Sequence, residues 1–379
     1  MISAEKFIEL AAKRRFSLYT GVPCSYLKPL INRVITDDRL RYIPAANEGD
    51  AVAIAAGAEL GGVRGIAMMQ NSGLGNAINP LTSLTHTLRI PVLLIITLRG
   101  EPGGPEDEPQ HELMGTITTA MLKTMRIPWD WFPAEEALLE RVLDRAVTHM
   151  AEENLPYALV MKKGTVASSP APLPLQIRSP QPRKTPPMVE PVSHRHDMLA
   201  ALQRNCRPGD VLLATTGYTG RELFALGDKE NQLYMVGSMG CLSSLALGLA
   251  TARPERRIIA IDGDGALIMR MGALATIGHE HPANLLHLVL DNARYESTGS
   301  QYTVSGSLDF CRVAGACGYS HVSRLNQPEQ LTDFLRESAR GPALVHVPIL
   351  PGTMETLPRP DVTPRQVAGR LRNHLDVHT

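Results

Sequence analysis

Short apolar runs alternate with amphipathic stretches along most of the chain. Before residue 168 the apolar runs lie at 18–20, 41–43, 65–70, 92–97 and 157–161, and after residue 191 they lie at 211–215, 233–235, 258–261, 285–290 and 343–348. Runs of this length predict buried strands. Strands joined by helical crossovers are typical of parallel sheets covered on both faces. We therefore expect an α/β chain built from two doubly wound parallel-sheet domains.

The stretches between the runs place apolar residues three and four positions apart, which predicts helices. In the first half we expect helices over 4–12, 25–34, 48–60, 77–88 and 135–152. In the second half we expect them over 196–205, 221–226, 243–252, 267–277 and 328–339.

A proline-rich stretch separates the two halves. Residues 168–191 contain eight prolines and few large apolar side chains, a composition typical of a linker. We expect a first domain over 1–167, a second over 192–360, and a tail over 361–379 for which the pattern supports no structural prediction. The second domain contains the motifs that a diphosphate and a metal require, as described below.

Charge and composition narrow the classes of partner. The 379 residues include 38 basic and 38 acidic side chains, and this balance argues against nucleic acid or a membrane surface as the main partner. No apolar run approaches the length of a membrane span. The five cysteines are scattered without metal-ligand spacing, which is typical of reduced thiols in a cytoplasmic protein.

Two polar motifs follow neighbouring predicted strands. Gly263-Asp264-Gly265 comes after the run at 258–261, and Asp291-Asn292 comes after the run at 285–290. The ends of parallel strands meet at one edge of a sheet, where α/β proteins bind ligands. Mg²⁺ with a diphosphate takes one or two protein carboxylates and other oxygens. The motifs predict such a site, and the alternative is a pair of ordinary turns in a dehydrogenase-like sheet.

With this spacing the sequence resembles the thiamine-diphosphate-dependent enzymes, whose signature joins Gly-Asp-Gly to Asn-Asn. Asp291 here replaces the first asparagine of that signature. The resemblance implies thiamine diphosphate and Mg²⁺ as cofactors. It implies as metal ligands Asp264, Asn292 and the backbone carbonyl of Arg294, and as neighbours of the diphosphate Gly263, Gly265 and Ala266.

The first half contributes Glu48, which opens a helix whose next residues, 51–57, are almost all small and apolar. A carboxylate at a helix start is ordinarily a cap stabilised by the helix dipole. The resemblance implies a different role, in which this glutamate hydrogen-bonds the cofactor's pyrimidine N1′ and activates the cofactor.

Two further segments resemble the family's cofactor cradle. The turn Gly237-Ser238-Met239 is similar to one that bends the cofactor, with Met239 wedged between its two rings, although methionine is more often a core residue. Hydroxyls and free amides between a strand and a helix suit diphosphate oxygens. The resemblance assigns this contact to Thr216, Gly217 and Thr219.

Motifs at 21–25, 47–50, 71–76 and 107–111 resemble the branch of the family that decarboxylates phosphonopyruvate or sulfopyruvate. The resemblance implies conversion of 3-phosphonopyruvate to phosphonoacetaldehyde and CO2. A single chain mildly favours the phosphonate, because sulfopyruvate enzymes often divide the two domains between subunits. Sulfopyruvate decarboxylation, carboligation and a catalytically silent cofactor-binding protein remain as alternatives.

The substrate in this interpretation is a small anionic 2-keto acid. We expect Ser25, at the start of a helix predicted from residue 23, to donate to the phosphonate. Asn71 and Ser72 at a strand end, and Arg294 beside the metal motif, are further substrate-binding candidates. His111 is the candidate proton donor, and the alternative is a loop histidine bound within the acidic cluster 106–108.

Assembly is implied by the resemblance alone. Active sites of this family form between the first domain of one subunit and the second domain of its partner. We therefore expect a homodimer or a larger homo-oligomer.

Overall fold

A computed structural model of the chain describes residues 1–168, 184–337 and 341–377. These residues form two compact units, one over 1–168 and the other over the remaining described ranges. Most of the predicted linker, 168–191, lies outside the described residues, as do residues 378 and 379 at the end of the predicted tail.

The first unit is built on one six-stranded sheet. Every strand pair is parallel, and the strand order is β2-β1-β3-β4-β6-β5. The strands are β1 Phe16–Gly21, β2 Arg41–Pro44, β3 Arg64–Gln70, β4 Leu93–Thr97, β5 Trp129–Trp131 and β6 Tyr157–Met161.

Helices connect these strands. They are α1 Ala4–Lys13, α2 Lys28–Ile35, α3 Glu48–Leu60, α4 Leu74–Pro80, α5 His86–Leu88, α6 Glu112–Thr124 and α7 Glu136–Glu153, and a π-helical stretch, Leu81–Thr85, joins α4 to α5. Helix α3 is buried on nearly every side, which its run of alanines permits. A Cβ at Gly65 would lie 3.0 Å from Ala55, so small residues let α3 approach strand β3 closely.

The second unit contains another six-stranded parallel sheet, of order β13-β14-β10-β9-β7-β8, and a two-stranded antiparallel hairpin, β11-β12. If the strands of each six-stranded sheet are numbered 1 to 6 in chain order, both sheets have the order 2-1-3-4-6-5. Its strands are β7 Val211–Ala214, β8 Gln232–Tyr234, β9 Ile258–Gly263, β10 Leu285–Asp291, β13 His321–Arg324 and β14 Ala343–Pro348, and the hairpin strands are β11 Arg294–Tyr295 and β12 Gln301–Tyr302.

The helices of the second unit lie before, between and after these strands. They are α8 Arg195–Asn205, α9 Tyr218–Ala225, α10 Leu242–Ala252, α11 Asp264–Met269, α12 Ala273–Glu280, α13 Phe310–Cys317, α14 Pro328–Arg336 and α15 Pro364–His374. The α/β class and the two parallel sheets are as the sequence pattern predicts. Among the described residues, no helix combines the length and apolar content that a membrane crossing requires.

Two helix predictions need correction, and the tail contains a helix for which the sequence supported no prediction. The single helix expected over 267–277 is two helices, α11 and α12, separated at residues 270–272, and the first begins at Asp264 itself. The helix expected from residue 23 begins only at Lys28, because residues 25–27 form a turn and Pro29 occupies the first helical turn. The tail contains α15, whose start is fixed by a capping box between Thr363 and Gln366.

Candidate active site

A cleft opens in the second unit at the carboxyl ends of β7, β9 and β10. These three strands are neighbours in the sheet, so the loops that follow them lie side by side. The lining includes several of the predicted cofactor residues: Thr216, Gly217, Thr219, Met239, Gly263, Asp264, Gly265, Ala266, Asn292 and Arg294. Gly237 and Ser238 lie in the adjoining turn, where Ser238 is buried and has a left-handed φ of 50°.

Asp264 is the first residue of α11 and is 3% exposed. Burial raises the pKa of its carboxyl from 3.8 to about 6, and the nearby Asp291 charge adds to this rise. The Thr303 hydroxyl and backbone amides donate to the carboxylate and oppose the rise. Asp264 makes no ion pair with any residue of the described ranges. A bound cation would supply an opposite charge for this carboxylate.

Asn292 follows directly after β10. Its Oδ1 accepts a hydrogen bond of 3.1 Å from the Arg294 amide, and Ala293 between them has a left-handed φ of 56°. The Arg294 guanidinium lies 4.5 Å from the centre of the Tyr302 ring, on the hairpin that follows. Two of the three predicted ligand oxygens, those of the Asn292 side chain and the Arg294 carbonyl, therefore belong to one tight turn.

The donor set fits Mg²⁺ and a diphosphate. Mg²⁺ prefers a few oxygen ligands and retains water and phosphate oxygens, and the described residues contain no cluster of three or more His, Cys, Asp or Glu that would suit another metal. At the other side of the cleft, the buried Thr215 Oγ1 has no hydrogen-bond partner within the described parts of the chain. Gly217 has a φ of 93° and precedes α9, so unpaired amides of the first turn face this loop.

Two cleft residues have a close steric fit. A Cβ at Gly265 would lie 2.3 Å from Cε1 of Tyr295, so only glycine fits at the start of α11. Met239 is half-buried and lines the cleft instead of filling the core of the unit, and its predicted wedge role stays a prediction.

The first unit brings its candidate residues together at the carboxyl edge of its own sheet. Glu48 is the first residue of α3 and is half-buried. Its Oε2 accepts a 2.8 Å hydrogen bond from Asn76 Nδ2. A Cβ at Gly73 would lie 2.2 Å from Glu48 Oε1, so this glycine makes room for the carboxylate.

Asp107 organises the neighbouring loop. It accepts hydrogen bonds from Arg99, from the Gly100 and Glu108 amides, and from His111 Nδ1 at 3.1 Å. The Arg99 guanidinium is the main cause that holds the pKa of Asp107 well below its usual range. Because Asp107 is an anion, His111 Nδ1 carries the hydrogen that it donates.

His111 is 5% exposed, and its other nitrogen, Nε2, lies 3.1 Å from Gln70 Nε2. With Gln70 as the donor, Nε2 is the acceptor, and the imidazole is the neutral Nδ1–H tautomer. Gln70 Nε2 also donates to Ser72 Oγ at 2.7 Å. The predicted residues His111 and Ser72 therefore contact one glutamine, which the sequence analysis did not single out.

Ser25 and Asn71 both lie next to Arg99. Arg99 Nη1 is 3.5 Å from Ser25 Oγ, and its guanidinium lies 4.9 Å from the centre of the Tyr26 ring. Asn71 is fully buried. Its Nδ2 donates to the Arg99 carbonyl and to Thr118 Oγ1, and its Oδ1 accepts from the Arg99 amide. Asn71 is thus placed to hold Arg99, and its predicted contact with substrate stays a prediction.

Comparison with known proteins identifies the family. A model of the thiamine pyrophosphate enzyme N-terminal TPP-binding domain matches residues 1–118, and one of the C-terminal TPP-binding domain matches residues 222–347. A phosphonopyruvate decarboxylase of Streptomyces viridochromogenes is 44% identical over 93% of this chain and 89% of its own length. The chain belongs to the thiamine pyrophosphate enzymes. Thiamine pyrophosphate is thiamine diphosphate under another name, so the cofactor and the fold expected from the sequence are confirmed.

Other thiamine pyrophosphate enzymes extend the comparison. A phosphonopyruvate decarboxylase of Streptomyces hygroscopicus is 42% identical over 98% of this chain and 94% of its own length. A sulfopyruvate decarboxylase of Methanosarcina acetivorans is 30% identical over 98% and 97%. The fold resembles that of a benzoylformate decarboxylase from Polynucleobacter necessarius, with a TM-score of 0.71 at 14% identity over 94% of this chain and all of the other.

Proposed function

We propose that this chain decarboxylates 3-phosphonopyruvate to phosphonoacetaldehyde and CO2, with thiamine diphosphate and Mg²⁺ held in the cleft of the second unit. Two relatives above 40% identity over most of the chain are phosphonopyruvate decarboxylases. Asp264, Asn292 and the carbonyl of Arg294 are the proposed metal ligands. Thr216, Gly217 and Thr219 are the proposed contacts of the diphosphate.

The observation that carries the substrate proposal is the pairing of Ser25 with Arg99. A phosphonate carries nearly two negative charges, and a guanidinium with a hydroxyl supplies matched donors for its oxygens. Helix α2 begins three residues after Ser25, so its amides do not complete this site as the sequence suggested. Arg99, 17% exposed at its side chain and oriented by Asp107, is the cation that we propose in their place.

Bound thiamine diphosphate supplies a nucleophilic carbon and an electron sink for the bonding electron pair that remains when CO2 departs. Glu48, fixed by Asn76, is proposed to hold a hydrogen bond to the pyrimidine ring. His111 is proposed to take up a proton at Nε2 and to deliver that proton to the product carbon. The Asp107 carboxylate at Nδ1 orients the ring and stabilises its protonated form, as carboxylates do for catalytic histidines.

The experiment that tests the substrate is a side-by-side assay of phosphonopyruvate, sulfopyruvate and pyruvate with the purified full chain. We expect kcat/KM to be highest for phosphonopyruvate. The Ser25→Ala and Arg99→Gln variants should raise KM for phosphonopyruvate more than for pyruvate. Equal values for the three substrates would contradict the proposed anion site.

Sulfopyruvate is the second candidate, because a sulfopyruvate decarboxylase matches 98% of the chain. A sulfonate carries one charge less than a fully ionised phosphonate. Preference for sulfopyruvate in the same assay would select this second function and leave the cofactor site unaffected.

We also propose a homodimer whose active sites combine Glu48 of one protomer with Asp264 of the other. Glu48→Gln and Asp264→Asn variants, each inactive, would then be mixed and reassembled. Random pairing should restore about one quarter of wild-type activity, because half of the dimers regain one intact site of two. No recovery after verified subunit exchange would contradict a shared site.

A further inference from the structure

Asp291 stands where the family signature has asparagine, directly before the proposed metal ligand Asn292. Its Oδ1 accepts hydrogen bonds from the Ala293 amide at 3.0 Å and from Ser305 Oγ at 2.9 Å. Its Oδ2 lies 3.0 Å from His346 Nε2 on the neighbouring strand β14. Both carboxylate oxygens are therefore engaged with protein donors.

The donor direction at His346 is fixed by the residue behind it. Arg324 Nε lies 3.1 Å from His346 Nδ1. Because a guanidinium can only donate, Nδ1 is the acceptor and Nε2 carries the hydrogen. Arg324 itself donates from Nη2 to Asp309 Oδ1 at 2.6 Å and from Nη1 to the Pro186 carbonyl at 2.8 Å. His346 thus presents a hydrogen to position 291, and an asparagine amide nitrogen there would face it with a second donor.

The segment that follows Asp291 closes back on the cleft. The Thr303 amide donates to the Ala293 carbonyl at 3.0 Å, and the Ser305 amide lies 3.3 Å from Thr303 Oγ1. That same Thr303 hydroxyl donates to Asp264. Asp291 holds the start of this segment through Ala293 and Ser305, and Asp264 holds its end through Thr303. These contacts therefore define where the turn over 292–294 lies.

We propose that Asp291, oriented by His346, is a positioning residue that holds Asn292 and the Arg294 carbonyl in place for the divalent cation. This inference rests on the proposed metal site. Asp291 itself is not a ligand in this arrangement, because its oxygens are used by Ala293, Ser305 and His346.

The test measures cofactor binding without turnover. Full-length protein, freed of cations by a chelator, is titrated with Mg²⁺ at a fixed concentration of thiamine diphosphate, and bound cofactor is measured by equilibrium dialysis. We expect Asp291→Asn and His346→Gln each to raise the half-saturating Mg²⁺ concentration about ten- to hundredfold, as loss of a residue that orients a ligand does. The double variant should lose little more than either single variant, because both changes break one contact.

His287→Gln is the matched control. His287 is a buried histidine of the same sheet, and its ring nitrogens lie 3.3 Å from the Tyr319 hydroxyl and 3.4 Å from Asp262 Oδ2, neither of which belongs to the 291–305 segment. It should lower thermal stability and leave the half-saturating Mg²⁺ concentration unchanged. An equal rise in this control would show general loosening of the sheet and would overturn the positioning role.

Two other results would also overturn it: a wild-type Mg²⁺ requirement in either single variant, or strictly additive effects in the double variant. Asp264→Asn and Asn292→Ala separate this failure from failure of the metal site. If those two variants also bind the cofactor with a normal Mg²⁺ requirement, the proposed cation site itself is wrong.

Discussion

Replacing Asp264 by asparagine should stabilise the protein in the absence of a divalent cation. The wild-type carboxylate is buried, lies near the Asp291 charge and makes no ion pair within the described ranges. Asparagine retains an oxygen that can accept from Thr303 and removes the buried charge. The variant should at the same time lose cation-dependent binding of thiamine diphosphate.

The magnitude follows from the pKa. In the unfolded chain Asp264 ionises near 3.8, whereas in the folded protein its pKa is raised to about 6. Between these values the folded state binds more protons, so stability without cation falls as pH rises through this window and stays lower above it. At roughly 1.4 kcal/mol for each pH unit the cost is about 3 kcal/mol. The variant should recover up to this amount at neutral pH, and less as the pH falls towards about 4.

Denaturant unfolding of both proteins in a chelator, repeated across this pH range, checks the expectation. Asp291→Asn is the control, because its expected effect on the free energy of unfolding has the opposite sign. Burial raises the pKa of Asp291, but hydrogen bonds from His346, Ala293 and Ser305 more than offset this, and the net pKa is lowered. Its removal should therefore destabilise the protein. An Asp264→Asn protein that is less stable than wild type, or whose advantage does not change with pH, would refute the reasoning.

Three other substitutions test separate parts of the site. Glu48→Gln should lower kcat at least about a hundredfold, since it removes a proposed proton-handling group, and calorimetry should find Mg²⁺-dependent cofactor binding retained. Gly265→Ala should cost about 1–3 kcal/mol of stability by displacing Tyr295, which thermal unfolding measures, and should weaken cofactor binding. Asp107→Asn keeps an oxygen that can accept from His111 Nδ1 but removes the negative charge that stabilises a protonated His111, so kcat should fall about ten- to hundredfold and the pH–rate profile should shift.

Each of these has a comparison within the chain. Gly306→Ala adds a methyl group with nothing within 4 Å, and its melting temperature should match that of the wild type. A Gly265→Ala protein that melts like Gly306→Ala would contradict the steric argument. Normal turnover by Glu48→Gln would remove its assigned role, and an unchanged pH–rate profile in Asp107→Asn would separate His111 from proton transfer.

The sequence predicts the sheet edges well and the loops that cross them poorly. The apolar runs mark the strands, and because strand ends in a parallel sheet meet, Asp264 and Asn292 could be placed together without coordinates. Thr303 could not, because its contact with Asp264 depends on the hairpin β11-β12, whose strands have only two residues each. Gln70 was missed for a similar reason, since only the fold brings residue 111 to the end of β3.

The sequence also contains a local signal for the helix in the tail. The capping box at Thr363 and Gln366 and the proline after Thr363 mark the start of α15, although the segment before it has no apolar periodicity. The sequence around Arg99 suits an exposed ion pair as well as an anion site, so its role could not be assigned without the fold. The structure shows that it is mostly buried and bound to Asp107, because a loop of intervening residues folds back over the strand end.

The shared strand order of the two sheets has a consequence for the history of the chain. Copying of one ancestral gene followed by fusion would give the same permutation of six strands directly. Each copy then acquired different side chains at the carboxyl ends of its strands. Glu48 follows the second strand of its sheet, whereas Asp264 follows the third strand of the other sheet, so in this view the two carboxylates arose separately after the copying.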